Sequence, residues 1–448
     1  MLNRLVAAGA KFSLEHRKIL SNTGWLFSGR FFRILVSLFT ATWVARYLGP
    51  SQFGALQYAL AFSSFFLPLS TAQMDTIVTR DLVRQPEAKN QILGTAVVLQ
   101  LFGGTIATLL SILAILLLSP TDVYLQLLVS IVSLKFIFNS SQPIESWFES
   151  RVESKFTVFA DNLAFVAVTV LRCSLILLQA PLFAFAITIS LETLVCAIGL
   201  CWCYQRTHQS ILNWRTSFDQ LKYLLRESLP LALSSTACII YINVDRVMLG
   251  SMIGSHAVGI YSSAATLADA WWFLPTIVCS SLYPTIIQSK ELDARIYHQR
   301  LQGFYDLISF LGYSLILLIL PWLGFIINFL YGESYQAAVP VLTIYIWSVL
   351  FSFQGIAQSR WIVTEGLQKF NFYSRLAGLI TNILLNLILI PLYEGIGAAI
   401  ATLISYAVGN YLYFLLIPET RENAMLMTKA LCLPLRLPKI MKTLMHQI

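Results

Sequence analysis

Residues 45–54 read ARYLGPSQFG, and residues 245–259 read DRVMLGSMIGSHAVG. Each stretch places an arginine two or three residues before Leu-Gly, then a short polar stretch, then a glycine. The anchors are Arg46, Leu48, Gly49 and Gly54 in the first, and Arg246, Leu249, Gly250 and Gly259 in the second. Both follow a long apolar run and lead into another. One corner between apolar runs, written twice about 200 residues apart, reads as an internal repeat.

Composition says what kind of runs these are. The 448 residues are 57% hydrophobic and only 12% charged, with a mean hydropathy of +0.71. Soluble domains carry about 25% charged residues. Long apolar runs joined by short charged links account for the difference, so the expected class is an all-α integral membrane protein. The runs last about 20 residues, the length of a spanning helix rather than of a barrel strand. About twelve spans are predicted, at 24–46, 53–74, 92–118, 124–142, 157–178, 182–203, 228–249, 257–287, 304–330, 338–359, 374–392 and 396–417. The run at 257–287 is long enough to tilt or break, and Pro275 and Pro284 offer places for a break. The first 23 residues mix charges with short apolar patches and do not read as a cleavable signal peptide. The remaining links and tails are too short for a soluble catalytic domain. Six of the seven cysteines fall in apolar spans, and no spacing suggests a disulfide framework. Cys201 and Cys203 read as small buried hydrophobes rather than a metal site.

Charge gives the orientation. Counting tails and alternate links, 24 of the 30 basic residues fall on one side. The opposite links hold no Lys or Arg, only Asp122, Glu333 and Glu394. Both termini are therefore expected in the cytoplasm. The +8 net charge is spread over that face, which suits anionic lipid and gives no reason to invoke nucleic acid.

Arg46 ends the first span and Arg246 the seventh, on the same side. A second echo, AFAITIS at 184–190 and AIATLIS at 399–405, opens the sixth and twelfth spans. The expectation is two six-helix bundles of parallel topology, residues 1–217 and 218–448, around a central cavity. Two such bundles can rock about the cavity, which points to a transporter rather than a channel or an intramembrane enzyme.

Six basic residues remain in or beside the spans: Arg30, Arg33, Arg46, Lys135, Arg172 and Arg246. Three acids are set against them, Glu192, Asp245 and Asp269. A charge at the bilayer centre costs about 2.5–3.5 kcal/mol on insertion scales, so these groups should face protein or water. Arg46 and Arg246 lie near the boundary and read as snorkelling anchors, with Asp245 neutralising Arg246. Arg30 and Arg33 are one turn apart on one face, well inside the first span. An excess of buried positive charge suits an anionic ligand, because guanidinium groups grip phosphate oxygens in a fork. The candidate phosphate contacts are Arg30, Arg33, Lys135 and Arg172, with helix–helix pairing as the competing role. In the second half, Gln354, Gln358, Asn382 and Asn386, together with Thr381, Tyr406 and Asn410, can bond sugar hydroxyls or, equally, neighbouring helices. Trp271 and Trp272 beside Asp269 can stack on sugar faces.

Four stretches carry a resemblance. VARYLGPSQFGALQYALAF (44–62), ESWFESRVESKF (145–156), LYGESYQAAVPVLTIY (330–345) and GIGAAIATLISY (395–406) resemble, in order, stretches of bacterial oligosaccharide flippases. These form the polysaccharide-transport branch of the multidrug/oligosaccharidyl-lipid/polysaccharide exporter superfamily. The resemblance implies alternating-access flipping of an undecaprenyl-pyrophosphate-linked glycan, such as an O-antigen or capsule repeat unit, in the bacterial inner membrane. It also implies a cationic cavity between two bundles, and a polysaccharide polymerase and chain-length proteins as partners. Arg30, in Ser28-Gly29-Arg30, matches an arginine that lipid II flippases place in that cavity. A sodium or proton gradient is the implied drive, with Asp269 or Glu192 as candidate coupling acids. An ion-coupled multidrug or metabolite antiporter of the same superfamily is the alternative; its cationic substrates call for a more acidic cavity. A glycan polymerase or ligase needs large outer loops, and here every outer link is short.

Overall fold

The computed structural model describes residues 33–34, 36–71, 73–290 and 293–436. Arg30 and the start of the first predicted span lie outside them. Among the described residues the chain is helical, with no strand. The runs are α1 (Val36–Ser64), α2 (Leu67–Arg84), α3 (Pro86–Leu118), α4 (Val123–Ser150), α5 (Lys155–Leu177) and α6 (Leu182–Arg206). They continue with α7 (Phe218–Met252), α8 (Ser255–Lys290), α9 (Ala294–Tyr331), the bent α10 (Ala338–Tyr345 and Ser348–Thr364), α11 (Gln368–Leu416) and α12 (Pro418–Leu431). Eight of these runs are long and apolar enough to cross a membrane singly.

Two runs hold an internal break where the sequence places a link. Gly49 takes φ +70°, a left-handed conformation through which no right-handed helix continues, so α1 is two helices meeting at the first corner. Glu394 takes φ +50° and ψ −126° and divides α11 between the predicted eleventh and twelfth spans. The expected break in α8 is a 3-10 turn at Ala270–Trp272. It lies just before Pro275, whose ring removes the bond to the carbonyl four residues back. Pro284 stays inside the helix Phe273–Lys290 and makes no break.

The two halves of the chain meet at both ends of the helices. At the end carrying the repeated corners, the backbones interlock. A methyl group on Gly54 would stand 1.7 Å from the Ser255 carbonyl oxygen, and one on Gly259 would stand 2.0 Å from that of Pro50. Tyr335 OH donates to the Ala45 carbonyl at 2.7 Å, and Tyr58 OH and Ser251 Oγ are 3.3 Å apart. Arg46 Nη1 reaches the Phe329 carbonyl at 3.4 Å, consistent with an anchor at the rim. Part of the apolar core lies here, where Phe53 and Tyr58 share a cluster with Val258, Tyr261 and Tyr335. At the opposite, basic end, Arg80 Nη2 donates to Tyr223 OH at 2.6 Å, and Arg80 Nη1 is 3.6 Å from Glu227.

The C-terminal segment is more than a tail. Ile417 leaves the helical region at ψ 121° and Pro418 starts α12, where its missing N–H is harmless. Helix α12 docks across α9: Asn423 Nδ2 donates to Tyr305 OH at 2.9 Å, and Tyr313 OH donates to the Leu431 carbonyl at 2.6 Å. Arg436 pairs with Asp306 at 3.1 Å.

Candidate functional site

A cavity of about 560 Å³ lies between the two halves. On one side stand Arg33, which precedes α1, and Ser37 and Ala41 of α1. On the other side α7 supplies Arg246, and α8 supplies Thr266 and Asp269. Asp269 Oδ1 accepts from Tyr345 OH at 3.1 Å. Arg246 Nη1 donates to Asn243 Oδ1 at 3.0 Å, while its Nε is buried with no hydrogen-bond partner. The sequence reading of Arg246 as a rim anchor neutralised by Asp245 is therefore corrected. Adjacent residues on a helix point about 100° apart. Arg246 thus turns to the cavity and Asp245 away from it.

Arg33 also borders a second cavity, of about 310 Å³, inside the N-terminal half. It is lined by Asn139, Ser141, Gln142 and Glu145 of α4, by Asp161 and Ala164 of α5, and by Ile189, Glu192, Thr193 and Cys196 of α6. The Arg33 guanidinium is 3.9 Å from Asp161 and 3.7 Å from Glu192, and it lies over the Phe165 ring at 5.0 Å. Both pairs are long. Arg172 holds Glu192 more closely, at 3.0 Å, and donates through Nε to Thr188 Oγ1, also at 3.0 Å. Cys196 donates to Asp161 Oδ1 at 3.1 Å. Ligand atoms of Glu145, Asp161 and Cys196 all lie within 4.8 Å of one another, close enough to share a metal ion. The sequence tally of three buried acids leaves out Asp161 and Glu145, and with them this cavity is acidic. The positive excess argued from sequence survives only in the central cavity.

The third feature is a polar network inside the C-terminal half. Asp245 is 3% exposed. Its Oδ1 accepts from Asn386 Nδ2 at 2.6 Å, and its Oδ2 accepts from Tyr261 OH and Thr402 Oγ1, each at 2.8 Å. Asn386 Nδ2 also reaches Asn382 Oδ1 at 2.9 Å, while Asn386 Oδ1 is buried without a partner. No basic group lies within ion-pair distance of Asp245 among the described residues.

The remaining predicted site residues stand apart from both polar cavities. Asn382 and Asn386 are fully buried in the Asp245 network and line neither. Gln354 Nε2 bonds Ser309 Oγ at 2.6 Å, and Gln358 is buried one turn on; neither lines the cavities. Interhelical bonding, the other role open to these amides, accounts for Gln354, Asn382 and Asn386, whereas both polar atoms of the Gln358 side chain are buried without a hydrogen-bond partner. Lys135 lies 5.5 Å from the ring of its neighbour Phe136 and borders neither cavity. Arg172 lines a smaller, mostly apolar cavity of about 140 Å³ between α1 and α6.

Comparison with known proteins follows the same lines. The family described as "Polysaccharide biosynthesis protein" matches residues 19–290, more than half of the chain. The "Capsular polysaccharide biosynthesis protein CapF" of Staphylococcus aureus is 21% identical over 412 residues, 88% of this chain and 99% of CapF. Among solved structures, "Lipid II flippase MurJ, inward closed conformation" superposes with a TM-score of 0.71 at 16% identity, covering 91% of this chain and 90% of its own. An inward-facing multidrug resistance MATE family transporter of the MOP superfamily gives 0.68 at 15% identity, over 89% and 96%. At these identities the superpositions speak for the fold.

Proposed function

The chain belongs to the polysaccharide biosynthesis protein family, and on that footing we propose that it is a flippase for a polyprenyl-pyrophosphate-linked oligosaccharide. In this reading it serves surface-polysaccharide assembly (O-antigen, capsule or exopolysaccharide) in a bacterial inner membrane. A polysaccharide polymerase and chain-length proteins are then its downstream partners. Residues 1–217 and 218–448 act as the two rocking halves, and the basic links and both termini face the cytoplasm. The interlocked corners then close the outer face, and the molecule opens inward.

The observation that carries the reading is the pairing of Arg33 and Arg246 across the central cavity, one from each half. Arg33 is held only by long ion pairs, and Arg246 keeps a buried donor free. Two guanidinium groups with donors to spare match the oxygens of a pyrophosphate, and they stay charged throughout the cycle. A cationic drug, the substrate of the antiporter alternative, would meet the same two positive charges. The coupling ion, H⁺ or Na⁺, is better served by Asp245 than by Asp269 or Glu192. A buried carboxylate flanked by the hydroxyl oxygens of Tyr261 and Thr402 suits a small hard cation. Glu192 is already engaged by Arg172.

Purified protein in liposomes should move such a lipid-linked oligosaccharide between leaflets without changing its mass. Arg33→Gln/Arg246→Gln should slow that movement with the protein still inserted. Growth or release of the glycan, or transport of a cationic dye with no effect on the lipid, would overturn the reading.

A further inference from the structure

We infer that the cavity inside the N-terminal half is a sugar-binding compartment. On this inference it takes the uncharged sugar ring attached directly to the pyrophosphate that Arg33 holds. The inference rests on the flippase reading for the phosphate and adds where the first sugar goes.

Three features carry it. First, Asn139, Gln142 and Glu145 recur every third residue along α4 and face one cavity. None of their side chains has a hydrogen-bond or ion-pair partner among the described residues, although each is only half-buried. A structural network would have paired them. Amides that both donate and accept, beside carboxylates that accept, are the complement of a ring bearing several hydroxyls.

Second, the cavity has the size and the wall for one or two sugar rings. Ligand pockets commonly measure about 300–1,000 Å³ and combine an apolar wall with a few convergent polar groups. This one measures about 310 Å³, and Ala164 and Ile189 supply an apolar wall for the C–H face of a ring.

Third, Arg33 borders both this cavity and the central one, so the two compartments adjoin at this residue. A phosphate bound there places its attached sugar at the mouth of the inner cavity. The carboxylates of Glu145, Asp161 and Glu192 then set the polarity of the arrangement. They accept from sugar hydroxyls, and they repel phosphate and any sugar carrying its own carboxylate. The lining therefore selects an uncharged first sugar over a uronic acid.

Three probe lipids test this: bare undecaprenyl pyrophosphate, the same lipid carrying one neutral hexose, and the same lipid carrying one hexuronic acid. Binding to the full-length protein in detergent is read by native mass spectrometry, and leaflet transfer is read in liposomes. The wild type should bind the hexose lipid at least tenfold more tightly than either of the others. Asn139→Ala/Gln142→Ala should bring the hexose lipid to within threefold of the bare lipid, whose own affinity shifts by less than twofold. Glu145→Gln, which keeps the side-chain shape, should act in the same direction by about threefold and relax the exclusion of the uronic acid. The compartment is overturned if the double variant weakens bare and hexose lipids equally, or if the wild type binds all three alike. The phosphate reading fails separately, if Arg33→Gln/Arg246→Gln leaves the affinity for bare lipid unchanged.

Discussion

The two halves of this protein bury carboxylates in opposite ways. In the N-terminal half Glu192 is 25% exposed and shared between Arg172 at 3.0 Å and Arg33 at 3.7 Å, beside a cavity. In the C-terminal half Asp245 is 3% exposed and held by three neutral donors, with no basic group within ion-pair reach among the described residues. An ion pair beside a cavity can exchange partners, because water or a ligand takes up whatever is released. A dry carboxylate has no such outlet, and leaving it unsatisfied is costly. The first arrangement suits a ligand that comes and goes with its own polar groups. The second suits a site with two states, occupied by a small cation or empty.

The sharpest way to break this contrast is to neutralise one acid on each side. Asp245→Asn keeps the shape but removes the charge on which three donors converge, each charged hydrogen bond being worth about 1.5–3 kcal/mol. Flipping driven by an imposed Na⁺ or pH gradient should fall by about 100-fold or more and lose its dependence on the gradient. Asp161→Asn should cost less than about tenfold, and equal losses would erase the distinction. Next comes the arginine fork. Arg33→Gln should slow flipping by about 30-fold, and Arg33→Lys, which keeps the charge without the fork, by about fivefold. A fully active Arg33→Gln/Arg246→Gln double variant at normal abundance would remove both from the phosphate site.

Smaller effects probe the joints between the halves. Gly54→Ala or Gly259→Ala should hold the corners apart, lowering flipping several-fold. It should also raise the reaction of a cysteine introduced at Ser251 with an impermeant thiol reagent added from outside, in a background without native cysteines. Labelling of that cysteine only after permeabilisation would reverse the orientation. Arg46→Gln should change flipping by less than about twofold, since this side chain makes one 3.4 Å contact at the rim.

Much of the architecture is legible in the sequence, because spans and corners are local signals. Apolar runs of spanning length mark the helices, and the links at Gly49 and Glu394 fall where the backbone takes positive φ. The polar sites are less legible because they are assembled across long separations. Asp245 finds Asn386 141 residues away and Thr402 157 residues away, and no periodicity announces either contact. Residues 245 and 246 read as a neutralising pair only until helical geometry turns them to different faces. Asp161 was within reach of sequence reasoning: an acid inside an apolar run is itself the signal. Glu145 and the docking of α12 depended on knowing which helices adjoin.

The crossed glycines at the repeated corners bear on how this chain can evolve and how fast it can move. Each stands against a carbonyl oxygen of the opposite half, an obstacle that no side-chain replacement there can trim away. The two positions are therefore tied together more rigidly than any salt bridge, which a compensating mutation can swap. Their contact is a pair of close approaches of Cα–H to a carbonyl oxygen, worth about 0.5–1 kcal/mol each, beside the short hydrogen bond from Tyr335 to Ala45. Such a seam fixes the register of the closed face to the width of a methyl group, yet offers little resistance once the halves begin to part. It behaves as a toothed edge rather than a glued one.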